Sequence, residues 1–170
     1  MGDRAQSRAW GPRLAVVPGS VGFVGCVVWA LSAAPHDRVT GLSAVLVVSA
    51  IGSGLGVAKI PGGRRRVSAS FLVDMLAASF LGPASAFVTS ALAELATARA
   101  MPTRRRALII NLFAAALPAL TIATVIRDVN IHNHRAVGFY VLLAGLAIGG
   151  LALSWAIAAS LFTALDGRGI

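Results

Sequence analysis

The chain has 170 residues, of which 57% are hydrophobic and 12% charged, against roughly 25% charged in an average soluble domain. No stretch of ordinary size could be cut from it as a soluble domain, so residues 1–170 read as a single integral membrane domain. The net charge of +9 sits in short loops between apolar stretches, which suits anionic lipid head groups and argues against nucleic acid as a partner.

Six apolar stretches are expected as helices, at about 14–34, 41–58, 67–81, 84–98, 107–126 and 136–165. Arg4, Arg8 and Arg13 precede the first, in the manner of a signal peptide, and Ser32-Ala33-Ala34 could be a cleavage site. The apolar run is longer than a signal core of roughly 7–15 residues, so an uncleaved first helix is the expectation. Cys26 lies inside it as the single cysteine, which excludes a disulfide framework or a cysteine metal site within one chain.

The second stretch carries Gly52 and Gly56, and the last carries Gly145 and Gly149. Both pairs have the G-x-x-x-G spacing that lets helix backbones approach in lipid. Packing within the chain is the favoured use, with a homodimer seam as the alternative.

Segment 67–98 holds two charges, Asp74 and Glu94, and could be one tilted helix or two. Gly82-Pro83 supplies a break near its centre, because proline lacks the N–H donor and glycine tolerates a tight bend. Charge decides. With the break, Arg4, Arg8, Arg13, Lys59, Arg64, Arg65, Arg66, Arg99, Arg104, Arg105, Arg106 and Arg168 fall on one side and Arg38, Arg127 and Arg135 on the other, twelve against three. Without it, loop 99–106 changes side and the count is nine against six. The positive-inside rule selects the break. The expected fold is therefore an all-α membrane protein. It is a six-helix transmembrane bundle in the cell membrane, both termini cytoplasmic, with a short Gly-Pro-linked hairpin at 67–98. Whether that hairpin spans or is re-entrant stays open. The last stretch, about 45 Å as a helix, exceeds a bilayer core of about 30 Å and must tilt, kink near Gly149-Gly150 or project.

Asp74, Glu94 and Asn111 fall at similar depths on three successive helices and could form one polar cluster. A carboxylate in the membrane is costly, which raises a site for a cation, proton or polar ligand. The alternative is a structural network, with Asn111 bonded to Glu94 and Arg99 or Arg104 reaching up to neutralise a carboxylate. Nearby arginines that can snorkel favour that network. His36, His132 and His134 fall in outer loops with Asp37 and Asp128 close by. They could sense pH or bind a metal, but H-x-H on a loop is weakly specific and solvated histidines are the simpler reading. Trp10 and Tyr140 suit interface anchors. No nucleotide loop, nucleophile elbow or zinc-protease motif is present, so no enzyme, cofactor or metal is expected.

Segment 67–126 reads Val67-Ser-Ala-Ser-Phe71, an apolar run to Leu81-Gly82-Pro83, a small-residue helix to Arg99, a basic loop, then Leu108-Ile-Ile-Asn111-Leu-Phe. It resembles the N-terminal membrane region of bacterial signalling proteins that carry HD-GYP phosphodiesterase or GGDEF cyclase domains. The family often has Phe before the Asn, where Ile110 stands here. The resemblance covers about a third of the chain. It implies a non-catalytic sensory or anchoring domain, acting through a cytoplasmic output domain or partner. The Leu-Gly-Pro helix pair is also similar to the substrate-binding subunits of energy-coupling-factor vitamin transporters. Those commonly show A-x-x-x-A on the first helix; Ala30 and Ala34 have the spacing but lie at its outer end. That resemblance implies a small-molecule uptake subunit as the alternative function.

Overall fold

A computed structural model describes the backbone of residues 3–36, 41–56, 58–59, 66–67, 70–100, 105–129 and 137–166. Side chains are described over 16–35, 41–56, 70–100, 105–129 and 137–164. Among the described residues six α-helices account for nearly all the structure. They are α1 (Asp3–Ala33), α2 (Gly41–Leu55), α3 (Ser70–Phe80), α4 (Pro83–Ala100), α5 (Arg105–Val129) and α6 (Val137–Asp166). A 3-10 turn, Ala34–His36, follows α1.

The helices start and stop close to the apolar boundaries, with two physical departures. Helix α1 begins at Asp3, ahead of the apolar run, because Ala, Gln and Arg are good helix formers whatever solvent surrounds them. Between α2 and α3, strands β1 (Ala58–Lys59) and β2 (Arg66–Val67) pair antiparallel, Ala58 opposite Val67 and Lys59 opposite Arg66. This pair shortens the second and third apolar stretches. Helix α3 keeps 11 residues, about 16 Å, too few to cross a bilayer core of about 30 Å alone.

The break expected at Gly82-Pro83 is present. The Leu81 and Gly82 amides both donate to the Ala77 carbonyl, at 3.0 and 3.3 Å, closing α3. Gly82 has φ 114°, a left-handed value that a side chain would strain. Pro83 is the first residue of α4, where its missing N–H costs no helical bond.

Helices α4 and α5 form the centre. Helix α4 touches α1, α2, α3 and α5, while α5 touches α1, α3, α4 and α6. Small side chains dominate the buried surface, among them Ala77, Ala86, Ala116 and Ala119, so the helices approach closely. One cluster joins Leu46 of α2, Met75 of α3, Ile122 and Ile126 of α5 and Phe139 of α6. A second joins Cys26 and Ala30 of α1 to Ala116 and Leu120 of α5. Phe23 and Phe87 stack obliquely across α1 and α4, ring centroids 5.8 Å apart.

The glycine pairs are not where helices meet. Gly52, Gly145 and Gly149 face open space. On these two helices the close approaches are at Gly54, where an added Cβ would strike the Ala93 carbonyl oxygen, and at Gly150, where it would lie 2.5 Å from Ile122 Cδ1. Packing within the chain therefore uses other glycines of the same two helices, since spacing alone does not fix helix rotation, and the homodimer seam stays open for the G-x-x-x-G pairs. Helix α6 runs unbroken through Gly149-Gly150.

Three helices are long and apolar enough to cross a membrane, over Val16–Ala33, Arg105–Val129 and Val137–Ala164.

Candidate functional site

The candidate site is built on the α3–α4 hairpin. Asp74 lies one turn into α3 and is 5% exposed. The buried face of α4 opposite it carries Ala86, Thr89, Ser90 and Ala93, the i, i+3, i+4, i+7 pattern of a packed stripe. Two of those four are hydroxyl residues, each 1% exposed. The hydroxyls of Thr89 and Ser90 lie beside the Asp74 carboxyl, with Glu94 within electrostatic range. Glu94 follows Ser90 by one turn and is partly exposed.

Satisfaction of this group is incomplete. Asp74 Oδ1 and Ser90 Oγ are buried without a hydrogen-bond partner among the described residues. Thr89 does not remedy this. Its hydroxyl points at the carbonyls of Ser85 and Ala86, each at 3.0 Å, so its one proton is committed to the backbone. Ser79, on the buried face of α3, likewise gives its proton to the Met75 carbonyl at 2.7 Å. The uncommitted Ser90 hydroxyl is the donor at hand for the Asp74 carboxyl.

A cleft of about 220 Å³ opens at the Gly82-Pro83 end of the bundle, between the end of α1, α2 and the start of α4. Ser43, Val47, Ser85, Val88 and Thr89 line it. Thr89 belongs to both features. Its side chain walls the cleft and neighbours the Asp74 carboxyl.

The remaining expected residues stand apart. Asn111 is partly buried near the start of α5, and no hydrogen bond joins it to Glu94 among the described residues. Arg99 is exposed at the end of α4 and forms no ion pair with Glu94 there; Arg104 lies outside the described residues. Of the expected network, neither the Asn111–Glu94 bond nor an Arg99–Glu94 ion pair is present among the described residues. His36 closes the turn after α1, with its side chain outside the described residues, as are His132, His134 and Asp37. Asp128 pairs with its neighbour Arg127 at 3.5 Å, both exposed. Thr89 and Ser90 were missed in the sequence, although Ser90 and Glu94 are spaced i, i+4 and share a helix face.

No family model, no curated protein and no solved structure matches this chain.

Proposed function

We propose that the chain is an integral membrane domain, both termini cytoplasmic, that serves as a non-catalytic sensory module of a bacterial signalling protein. The observation that carries the sensing role is the buried, incompletely satisfied Asp74 beside a cleft open at one end of the bundle. A carboxylate inside a membrane is retained at a cost, and sites for ligands and ions are where that cost is met. The twelve-to-three division of basic residues supports the orientation, which turns the cleft mouth outward and the basic loops toward anionic lipid. Helix α6, about 45 Å long, supplies a rod from the outer face to the cytoplasm. Its cytoplasmic end would hand a shift to an output domain or partner subunit, and pairing of two copies there would stabilise it.

The cleft also favours a second reading, a substrate-binding subunit for uptake. Its volume favours the sensory reading. Pockets for drug-sized molecules hold about 300–1,000 Å³, and this one holds about 220 Å³. A vitamin-sized cargo is a poor fit, whereas a small ligand that biases a signalling bundle is not.

Crosslinking tests the transducer. A cysteine replacing Ala164, in a Cys26→Ser background, should crosslink efficiently between two copies in native membranes. Monomeric protein in mild detergent with no crosslink in membranes overturns the signalling reading and favours uptake.

A further inference from the structure

We infer that the groove between α5 and α6 is a site for one anionic phospholipid, which lays an acyl chain against Phe113 and sets its head group at Arg106. The inference rests on the membrane reading above, and on neither the sensory role nor the choice of cytoplasmic face.

The groove holds about 300 Å³ and is lined by Phe113 of α5 and by Ala156, Ile157, Ser160 and Leu161 of α6. The four α6 residues repeat at i, i+1, i+4 and i+5, so they share one side of that helix. Helix α1 closes the back. The Phe113 ring lies against Gly22, where an added Cβ would stand 2.5 Å from Cε2 and Cζ. One turn away, a Cβ on Gly19 would lie 3.8 Å from Ile109, 3.7 Å from Ile110 and 3.9 Å from Leu161, so the three helices converge there. That contact with α1 holds the ring as a wall of the groove.

The lining selects hydrocarbon. Ser160 is the one polar residue in it, and its hydroxyl donates to the Ala156 carbonyl at 2.7 Å. With that proton committed, a polar occupant would lose its hydration and find no donor in exchange.

Charge lies at the end of the groove nearer the start of α5. Arg106 precedes Phe113 by seven residues, two helical turns, so it stands on the same face about 10 Å along the axis. Arg105 is its neighbour; both are exposed, and neither forms an ion pair among the described residues. A phospholipid has the matching layout, with its phosphate at the interface and its chains running inward. A guanidinium binds phosphate through charge-assisted, often bidentate hydrogen bonds, and basic sites between membrane helices favour anionic head groups. A soluble anion would leave the groove bare, and a lipid of no net charge would gain less from the arginines. An anionic lipid uses both.

The test follows thermal unfolding of the intact protein in mild detergent at fixed ionic strength. Phosphatidylglycerol or phosphatidylcholine with the same acyl chains is added to the micelles. Phosphatidylglycerol should raise the melting temperature saturably, by roughly 3–6 °C at ten times the half-saturating concentration, and phosphatidylcholine should not. Arg106→Ala should demand roughly fivefold more lipid for half-saturation. Ala156→Phe, which fills the groove, should also weaken the response, and Arg127→Ala at the other end of α5 should leave it intact. Equal rises with the two lipids overturn the inference, as does an unchanged response in Arg106→Ala. If Ala156→Phe does not fold, the exposed Arg106 decides. A rise reproduced by glycerol 3-phosphate assigns a soluble anion and overturns the lipid. A melting temperature that climbs with protein concentration and ignores lipid gives the groove to a second copy and overturns it too. An alkaline wash of cell membranes tests the membrane reading separately. Protein released by the wash overturns that reading and this one together, whereas membrane-embedded protein indifferent to both lipids overturns this one alone.

Discussion

Helices α5 and α6 are both long, apolar and free of charge through their middle, yet 56% of the α5 span is buried and only 6% of the α6 span. Apolarity therefore says which segments avoid water and nothing about which segment the others pack upon. Position in the bundle makes the difference: α5 packs against α1, α3, α4 and α6, and α6 against α5 and α1. Helix α5 offers Ala114, Ala116, Pro118, Ala119 and Ala123 to its neighbours, so α1, α3 and α4 reach its backbone closely. Helix α6 presents Val141, Ile148, Leu151 and Trp155 outward and meets α5 along one side, with Gly150 against Ile122. In lipid, outward apolar residues gain nothing from burial against another helix, because acyl chains are as apolar as leucine.

The sharpest break of this comparison is a matched pair of truncations. Leu120→Ala removes a fully buried side chain of α5 and should cost about 2–5 kcal/mol of stability. Leu151→Ala, on the exposed face of α6, should change stability by under about 0.5 kcal/mol, since lipid fills the space. Chemical or thermal unfolding in detergent measures both; equal losses would mean that α6 is buried in an assembly.

A second pair contrasts contacts that can yield with contacts that cannot. Gly54→Ala drives a methyl into the Ala93 carbonyl and Ala96, where backbone must move, and should cost about 1–3 kcal/mol with lower folded yield. Gly150→Ala meets the end of the flexible Ile122 side chain and should cost less. Gly52→Ala faces open space, and the better helix propensity of alanine should raise stability by up to about 1 kcal/mol.

A third pair asks whether Asp74 serves structure or ligand. Asp74→Leu should leave stability equal or raise it by about 1 kcal/mol, because a buried carboxyl with one oxygen unpartnered is removed. A large loss of folded protein would make Asp74 structural. The smallest expected effect is at the surface. Arg127→Ala breaks an exposed pair with Asp128 and should cost about 0–0.5 kcal/mol by the same unfolding measurement.

The six helices were legible because most of their boundaries lie near a change from apolar to polar residues, α1's start at Asp3 excepted, and the α3–α4 turn because Gly82-Pro83 admits little else. Helix rotation was not legible. Gly52 and Gly54 stand two residues apart on one apolar helix, and only the partner surface at Ala93 decides which faces in. The same gap explains the site. Asp74 and Glu94 stand out as charges in apolar runs, but Thr89 and Ser90 are unremarkable until α3 lies against them. Asn111 shares their depth, and depth without rotation made no bond.

In the proposed topology the basic loops and the loop before α6 lie on opposite sides of a membrane, with the cleft at the Gly82-Pro83 end opening on the latter side. Single cysteines in place of Thr103 and of Asn133, in a Cys26→Ser background, test it in intact cells with a reagent that does not cross membranes. Position 133 should label from outside, and position 103 only after the cells are permeabilised. Labelling of both positions from outside would contradict it.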